Sequence, residues 1–258
     1  MTPDILCQRD GTIATVTLFN PDKLNALNAA MWRRLRETMS ELGADADVRC
    51  VILRGEGAAF AAGGDLEEFR TARADIDSAL AYHESVGAAL AAIDACPHPT
   101  VAAILGPCVG GGLEIACACD LRIAGSGARF GAPIMKLGFS MYPGELAGLL
   151  RVAGEATAKE VLLEGRLLTA DEAHARRLVT RVVADADLTA EALSTAQRIA
   201  AGAPQVAAWH KQWIARLRSE APLSEAEKRA SFAFLDSADY AEGVAAFLEK
   251  RAPNFNGR

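Results

Sequence analysis

Residues 106–120 read GPCVGGGLEIACACD, three consecutive glycines set directly before a leucine, a glutamate and a run of small apolar residues. Fixing a glycine costs more conformational entropy than fixing any other residue. Three in succession at the start of a helix therefore need a cause. Two are available: a tight structural turn, or a backbone that must come close to a ligand.

On either side of this stretch the pattern is strand and helix in alternation. TVAAILG (100–106) leads into it and DLRIAG (120–125) leaves it, both reading as strands. Upstream, TIATVTLF (12–19) and VRCVILRG (48–55) are strands by their β-branched content. Between them Asn28 is placed to cap a helix with Met31, Leu35, Met39 and Leu42 on one face. This order holds to about residue 185 and defines an α/β class, with no clean internal sequence repeat. After Leu188 only helices are expected. Capping-box patterns recur at Thr169/Glu172, Ser224/Glu227 and Asp239/Glu242, the last opening a helix with Val244, Phe247 and Leu248 on one side. The expected division is 1–187 for the α/β core and 188–258 for a helical region, which lacks a linker and should pack on the core.

Composition narrows the class. The 258 residues are 51% hydrophobic and 23% charged with a formal charge of −6, and no basic run marks a nucleic-acid or anionic-membrane surface. The N-terminus MTPDILCQRDG is too polar for a signal peptide, and no apolar run is long enough to span a bilayer, so a cytoplasmic enzyme is expected. Cys7, Cys50, Cys96, Cys108, Cys117 and Cys119 lack metal spacing and read as buried reduced thiols. No metal site is expected.

Motifs that cradle phosphate or dinucleotides are missing, as are HExxH and GxSxG. What remains is a second glycine turn, GEGAAFAAGGDLEEF (55–69), also placed between a strand and a helix, with Asp65 and Glu68 spaced as a capping box. Two helix N-termini offer free N–H groups and positive dipole ends. Aimed at one point, such a pair stabilises charge developing on a carbonyl oxygen. Either turn alone reads better as tight packing.

The chain resembles the crotonase, or enoyl-CoA hydratase/isomerase, family over nearly its whole length. The resemblance is carried by NPDKLNALN (20–28), AFAAGGDLEE (59–68), GPCVGGGLEIACACDLRIA (106–124), LLEGRLLTADEAHARRLVTRVV (162–183) and FLEKRAPNFNGR (247–258). It implies a spiral of ββα repeats followed by a C-terminal helical trimerisation region, assembled as a homotrimer or a hexamer. It further implies that the N–H groups of Gly64 and Gly111 hold the thioester oxygen of an acyl-CoA substrate. Coenzyme A, part of that substrate rather than a resident cofactor, would lie along Lys23, Leu24, Ala26, Ala62, Gly64, Asp65 and Leu66. Phe247 and Lys250, commonly from a neighbouring subunit, would meet its adenine and 3′-phosphate.

The resemblance also assigns acid/base work to Glu114, three residues after Gly111. A polarised thioester makes the α-carbon acidic and the β-carbon electrophilic, and a carboxylate beside it can move protons. A second family glutamate should follow the proline in FGAPIMKLGFS, but Ile134 stands there. Pro143-Gly144 is displaced by two residues, which puts Tyr142 where the family has a pocket glycine and leaves Glu145 three residues beyond it. Three readings follow: hydration or dehydration by Glu114, alone or with Tyr142 or Glu145; double-bond isomerisation by Glu114; or decarboxylation or hydrolysis of an acyl-CoA. An acyl-CoA-binding protein with little catalysis is the reading from another class. His83, His98, His174 and His210 match no catalytic position and read as surface or satisfied helix histidines. Ile134, Met135, Phe139 and Met141 suggest an apolar acyl pocket.

Overall fold

The computed structural model describes residues 2–257. Along the chain come β1 (Asp4–Asp10), β2 (Ile13–Phe19), α1 (Ala29–Ala44), β3 (Cys50–Gly55), α2 (Phe69–Ala72) and α3 (Ile76–Ala95). Next are β4 (Thr100–Ile104), β5 (Pro107–Val109), α4 (Gly111–Ala118), β6 (Leu121–Gly125), β7 (Arg129–Gly131) and α5 (Pro143–Lys159). The last third holds β8 (Leu168–Thr169), α6 (Ala170–Ala175), β9 (Arg181–Val183), α7 (Leu188–Ala200), α8 (Pro204–Arg216), α9 (Glu225–Ala230) and α10 (Ala238–Glu249).

The main sheet has the order β1-β2-β3-β4-β6-β9, antiparallel at the β1–β2 hairpin and parallel from β2 onward. A smaller sheet runs β5-β7-β8. Each turn of the spiral adds a strand to the main sheet, then extended backbone to the small one, then a helix. β4-β5-α4 and β6-β7-α5 are two such turns. β3, the Ala61–Cys108 bridge and α3 make the first. The repeat escaped the sequence because it conserves burial and direction, not residue identity.

Period-two alternation explains why the main sheet is covered on both faces. Val51 and Leu53 of β3, with Ala102 and Ile104 of β4, join the core built with Trp32, Leu35 and Met39 of α1 and Ile93 of α3. Cys50, Ile52, Val101 and Ala103 point the other way, where Leu188, Ala192 and Ala196 of α7 cover them. Lys211 of α8 adds an ion pair to Asp120 at 2.6 Å. The Arg49 guanidinium donates to the carbonyls of Ala200 and Phe255. The helical region thus packs on the core.

Two local expectations met a different outcome. Ser237, not Asp239, caps α10, its hydroxyl accepting from Tyr240 N–H. Asp239 is buried and accepts from the N–H groups of Asn256 and Gly257, while Glu242 pairs with Arg251. Both carboxylates therefore anchor the terminal segment. Cys7 lies exposed on the edge strand; the other five thiols are buried, and burial pushes Cys50, Cys117 and Cys119 up to about 12. The boxes at Thr169/Glu172 and Ser224/Glu227 form as read. No helix among the described residues is long and apolar enough to cross a membrane.

The spiral depends on close backbone approach at Gly112. A Cβ there would lie 2.5 Å from the carbonyl oxygen of Ala61 and 2.9 Å from its Cβ. Gly112→Ala is therefore expected to lower unfolding free energy by roughly 1–3 kcal/mol, an overpacking cost, measured by urea denaturation.

Candidate active site

The loop before α1 is shaped by a buried side chain, Asn25. Its Nδ2 donates to the carbonyls of Glu56 and Ala59, each at 2.8 Å, and its Oδ1 accepts from Asn20 N–H. Leu24 and Asn25 take left-handed backbone with φ of 50° and 59°. Ala62 N–H then donates to Leu24 C=O, Leu27 N–H to Gly63 C=O and Asp65 N–H to Leu27 C=O. These bonds stitch segment 20–27 to the first glycine turn. Lys23 reaches across to Asp65 at 2.8 Å and Glu67 at 2.7 Å. The backbone of Ala26 is engaged within the loop, donating to Lys23 C=O and accepting from the Asn20 side chain.

The expected capping box at Asp65/Glu68 does not form. Asp65 accepts from Glu67 N–H, and the Glu68 carboxylate accepts from Ala29 N–H at 2.7 Å. Glu68 and the Asn28 side chain, which accepts from Met31 N–H, thus share the capping of α1. The open N-terminus of α1, brought alongside by the stitch, competes successfully for Glu68.

The second glycine turn lies against the first. Val109 N–H donates to Ala61 C=O, and Gly110, at φ 51°, donates to Gly131 C=O. A Cβ on Gly63 would be 3.7 Å from the backbone nitrogen of Gly111, and one on Gly111 would strike the Trp32 ring at 2.9 Å. Side chains are excluded where the turns meet. Among the described residues the N–H groups of Gly64 and Gly111 donate to no protein acceptor.

A chamber adjoins this point, and it shares Glu114 and Glu145 with a second chamber beyond. One, of about 230 Å³, is lined by Gly63, Gly64, Gly110 and Leu66 with Ile134 and Phe139. The other, about 320 Å³, is bounded by Tyr142, Gly144 and Arg151. Glu114 stands in the first turn of α4 and makes no hydrogen bond through its carboxylate among the described residues. Burial, and then the neighbouring Glu145, raise its pKa well above the ordinary 4.5, against the opposing pull of Arg73. Glu145 occupies the first turn of α5 because Pro143 starts that helix, and its N–H donates to Tyr142 C=O. Its buried carboxylate lies 2.5 Å from His83 Nδ1. The Tyr142 ring stacks on His83, centroids 4.7 Å apart.

The structure therefore gathers Gly64, Gly111, Glu114 and Glu145 at one place, with Ala62 and Leu66 at the chamber wall and Tyr142 on the far side. Ile134 lines the glycine chamber as an apolar wall beside Glu114. His83 is a satisfied histidine on a helix, as read, but its partner is Glu145 and it lines the chamber. No local signal announces that pairing. Phe247 and Lys250 are not brought to these chambers within the chain. Phe247 is 84% exposed and lines a separate apolar groove with Trp209, Trp213 and Phe234, while Lys250 ends α10 in left-handed backbone.

A ββα spiral with two glycine turns meeting over a half-buried glutamate is the crotonase-type architecture. The sequence matches the enoyl-CoA hydratase/isomerase family description over residues 8–258. The chain belongs to that family. It is 38% identical over 257 residues to the Mycobacterium tuberculosis protein named "Probable enoyl-CoA hydratase echA8", covering 98% of each. A crystal structure of an enoyl-CoA hydratase/carnithine racemase from Magnetospirillum magneticum superposes with a TM-score of 0.97 at 53% identity, covering 98% of this chain and 96% of that one. An enoyl-CoA hydratase from Polaromonas sp. JS666 gives 0.90 at 32% identity, covering 98% of this chain and 100% of that one.

A carboxyl whose pKa is higher folded than unfolded loses stabilising power as pH rises past its unfolded value, here near 4.5. Glu114→Gln removes that loss. The variant should melt higher than the parent at pH 8, with the gain shrinking towards pH 5, as read by thermal denaturation at both.

Proposed function

We propose that the chain catalyses reversible hydration of an enoyl-CoA thioester, with Glu114 and Glu145 as its acid/base pair. The observation that carries this reading is that both carboxylates wall the chamber onto which the glycine turns open. The N–H groups of Gly64 and Gly111 receive the thioester oxygen, drawing electron density from the double bond and leaving the β-carbon open to water. One carboxylate takes a proton from that water as its oxygen bonds to the β-carbon. The other, protonated, delivers a proton to the α-carbon, and dehydration runs the same steps backwards. Burial raises the Glu114 pKa, which suits that carboxyl to deliver the proton. His83 orients Glu145, and Tyr142 braces His83. Glu145, entering from the start of α5, supplies the carboxylate that Ile134 lacks.

Coenzyme A enters as part of the substrate, its nucleotide end along Lys23, Leu24, Ala26 and Ala62–Leu66, and no metal takes part. The C-terminal helices assemble a homotrimer or a dimer of trimers in the cytoplasm. In that assembly the exposed Phe247 and Lys250 reach the adenine and 3′-phosphate of a neighbouring subunit's substrate.

Two measurements check this. Glu114→Gln and Glu145→Gln should each lower turnover by roughly 10²–10⁴-fold with substrate binding little changed. Product mass must show gain of water; unchanged mass with shifted retention, or full turnover by Glu145→Gln, overturns the two-carboxylate mechanism. Separately, Lys250→Glu should weaken binding of coenzyme A and spare dephospho-coenzyme A, as read by calorimetry. Equal loss for both removes Lys250 from the phosphate.

A further inference from the structure

Arg73 takes no part in the chemistry above, yet its side chain lines the glycine chamber. It closes the short helix α2, and its guanidinium lies 3.7 Å from the centroid of the Phe69 ring and 4.5 Å from that of Phe139. Its Nε is buried and has no hydrogen-bond partner. Among the described residues Arg73 forms no ion pair; the carboxylate of Glu145 is taken by His83. Burial pulls the Arg73 pKa below its ordinary value, while Tyr82, Glu145 and Glu114 oppose that pull from a distance.

A guanidinium stays charged in proteins, and leaving one desolvated without an anion is costly. Aromatic faces offset part of that cost and fix the plane of the group. They leave its N–H edges, the directional part, unused. Such a fork fits a carboxylate with two parallel bonds. An acyl chamber that were simply apolar would have no use for it, and Ile134, Phe139 and Met141 alone would have made one.

We infer that Arg73 receives an anionic group at the far end of the acyl chain, so that the substrates are CoA thioesters of dicarboxylic acids rather than of plain fatty acids. This rests on the acyl-CoA reading of the site but not on which reaction follows binding.

The test is calorimetric binding of two unreactive saturated thioesters of equal chain length, glutaryl-CoA with a terminal carboxylate and pentanoyl-CoA without one. The parent protein should bind glutaryl-CoA ~10–100-fold more tightly, the range expected for a charge-assisted pair. Arg73→Gln should reduce that preference to within about threefold, and Arg73→Lys should keep part of it. Thermal melts establish that both variants fold; if Arg73→Gln does not, the parent's preference and the Arg73→Lys variant still decide. Equal or tighter binding of pentanoyl-CoA by the parent overturns the inference, as does a preference that survives loss of the arginine. Weakening of both ligands in proportion would show that Arg73 merely tempers the charge of Glu114 and Glu145. Failure of the parent to bind either thioester would instead strike the acyl-CoA reading itself.

Discussion

The side-by-side packing of two glycine turns is the constraint on which the rest depends. Ala61 and Cys108 bridge the two segments, and Val109 N–H donates to Ala61 C=O, so the register between the turns is set by backbone alone. A side chain at Gly111 or Gly112 would collide with Trp32 or Ala61. The three glycines are thus answered twice over. They let α4 dock against the preceding turn, and they leave the Gly111 N–H without a protein acceptor next to a chamber that Gly64 and Gly110 line. Close packing and an unpaired backbone N–H arise from the same small residues here.

Holding that geometry takes support from residues far from the chamber. Asn25 fixes the loop that feeds the first turn, and its buried bonds would be expensive to leave unmade. Trp32 sits under Gly111 as part of the core that α1 and α3 build on one face of the main sheet. On the other face α7 seals the strands, and the Lys211–Asp120 pair ties α8 to the β4–β6 end. Against this frame stands a destabilising element, a glutamate whose charge burial opposes. A rigid surround lets such a group persist, and a raised pKa is what proton transfer to carbon requires.

Much of this was legible in the sequence for physical reasons. The strands announced themselves through β-branched runs, and Asn28 as a cap through its place before an apolar helical stripe. Gly64, Gly111 and Glu114 were placed by the resemblance to the crotonase family, and only the step from Gly111 to Glu114 is local, within one helical turn. Contacts between distant segments were not legible. His83 meets Glu145 only because α3 and the start of α5 converge, and nothing near residue 83 encodes that. Asp65/Glu68 and Asp239/Glu242 have the spacing of capping boxes, yet tertiary partners claimed the carboxylates. Spacing shows what a side chain can reach locally; it does not show which competing donor wins. Arg73 likewise reads as one charge among many until the fold sets it between two phenyl rings.

The displaced proline explains how a carboxylate could move from one element to another without loss of the site. A carboxylate at position 134 would enter the glycine chamber from the loop after β7, on the wall that Ile134 now fills. Starting α5 at Pro143 places Glu145 in the first helical turn, and the chamber receives its side chain from a different direction. Both glutamates now stand in first turns, where helix dipoles favour negative charge, so the dipoles do not tell them apart. Their partners do. His83 lies against Glu145, while Glu114 has no hydrogen bond and its pKa is raised, first by burial. Two chemically identical side chains that share a chamber are thereby given different surroundings, one held by an imidazole and one left without a hydrogen bond.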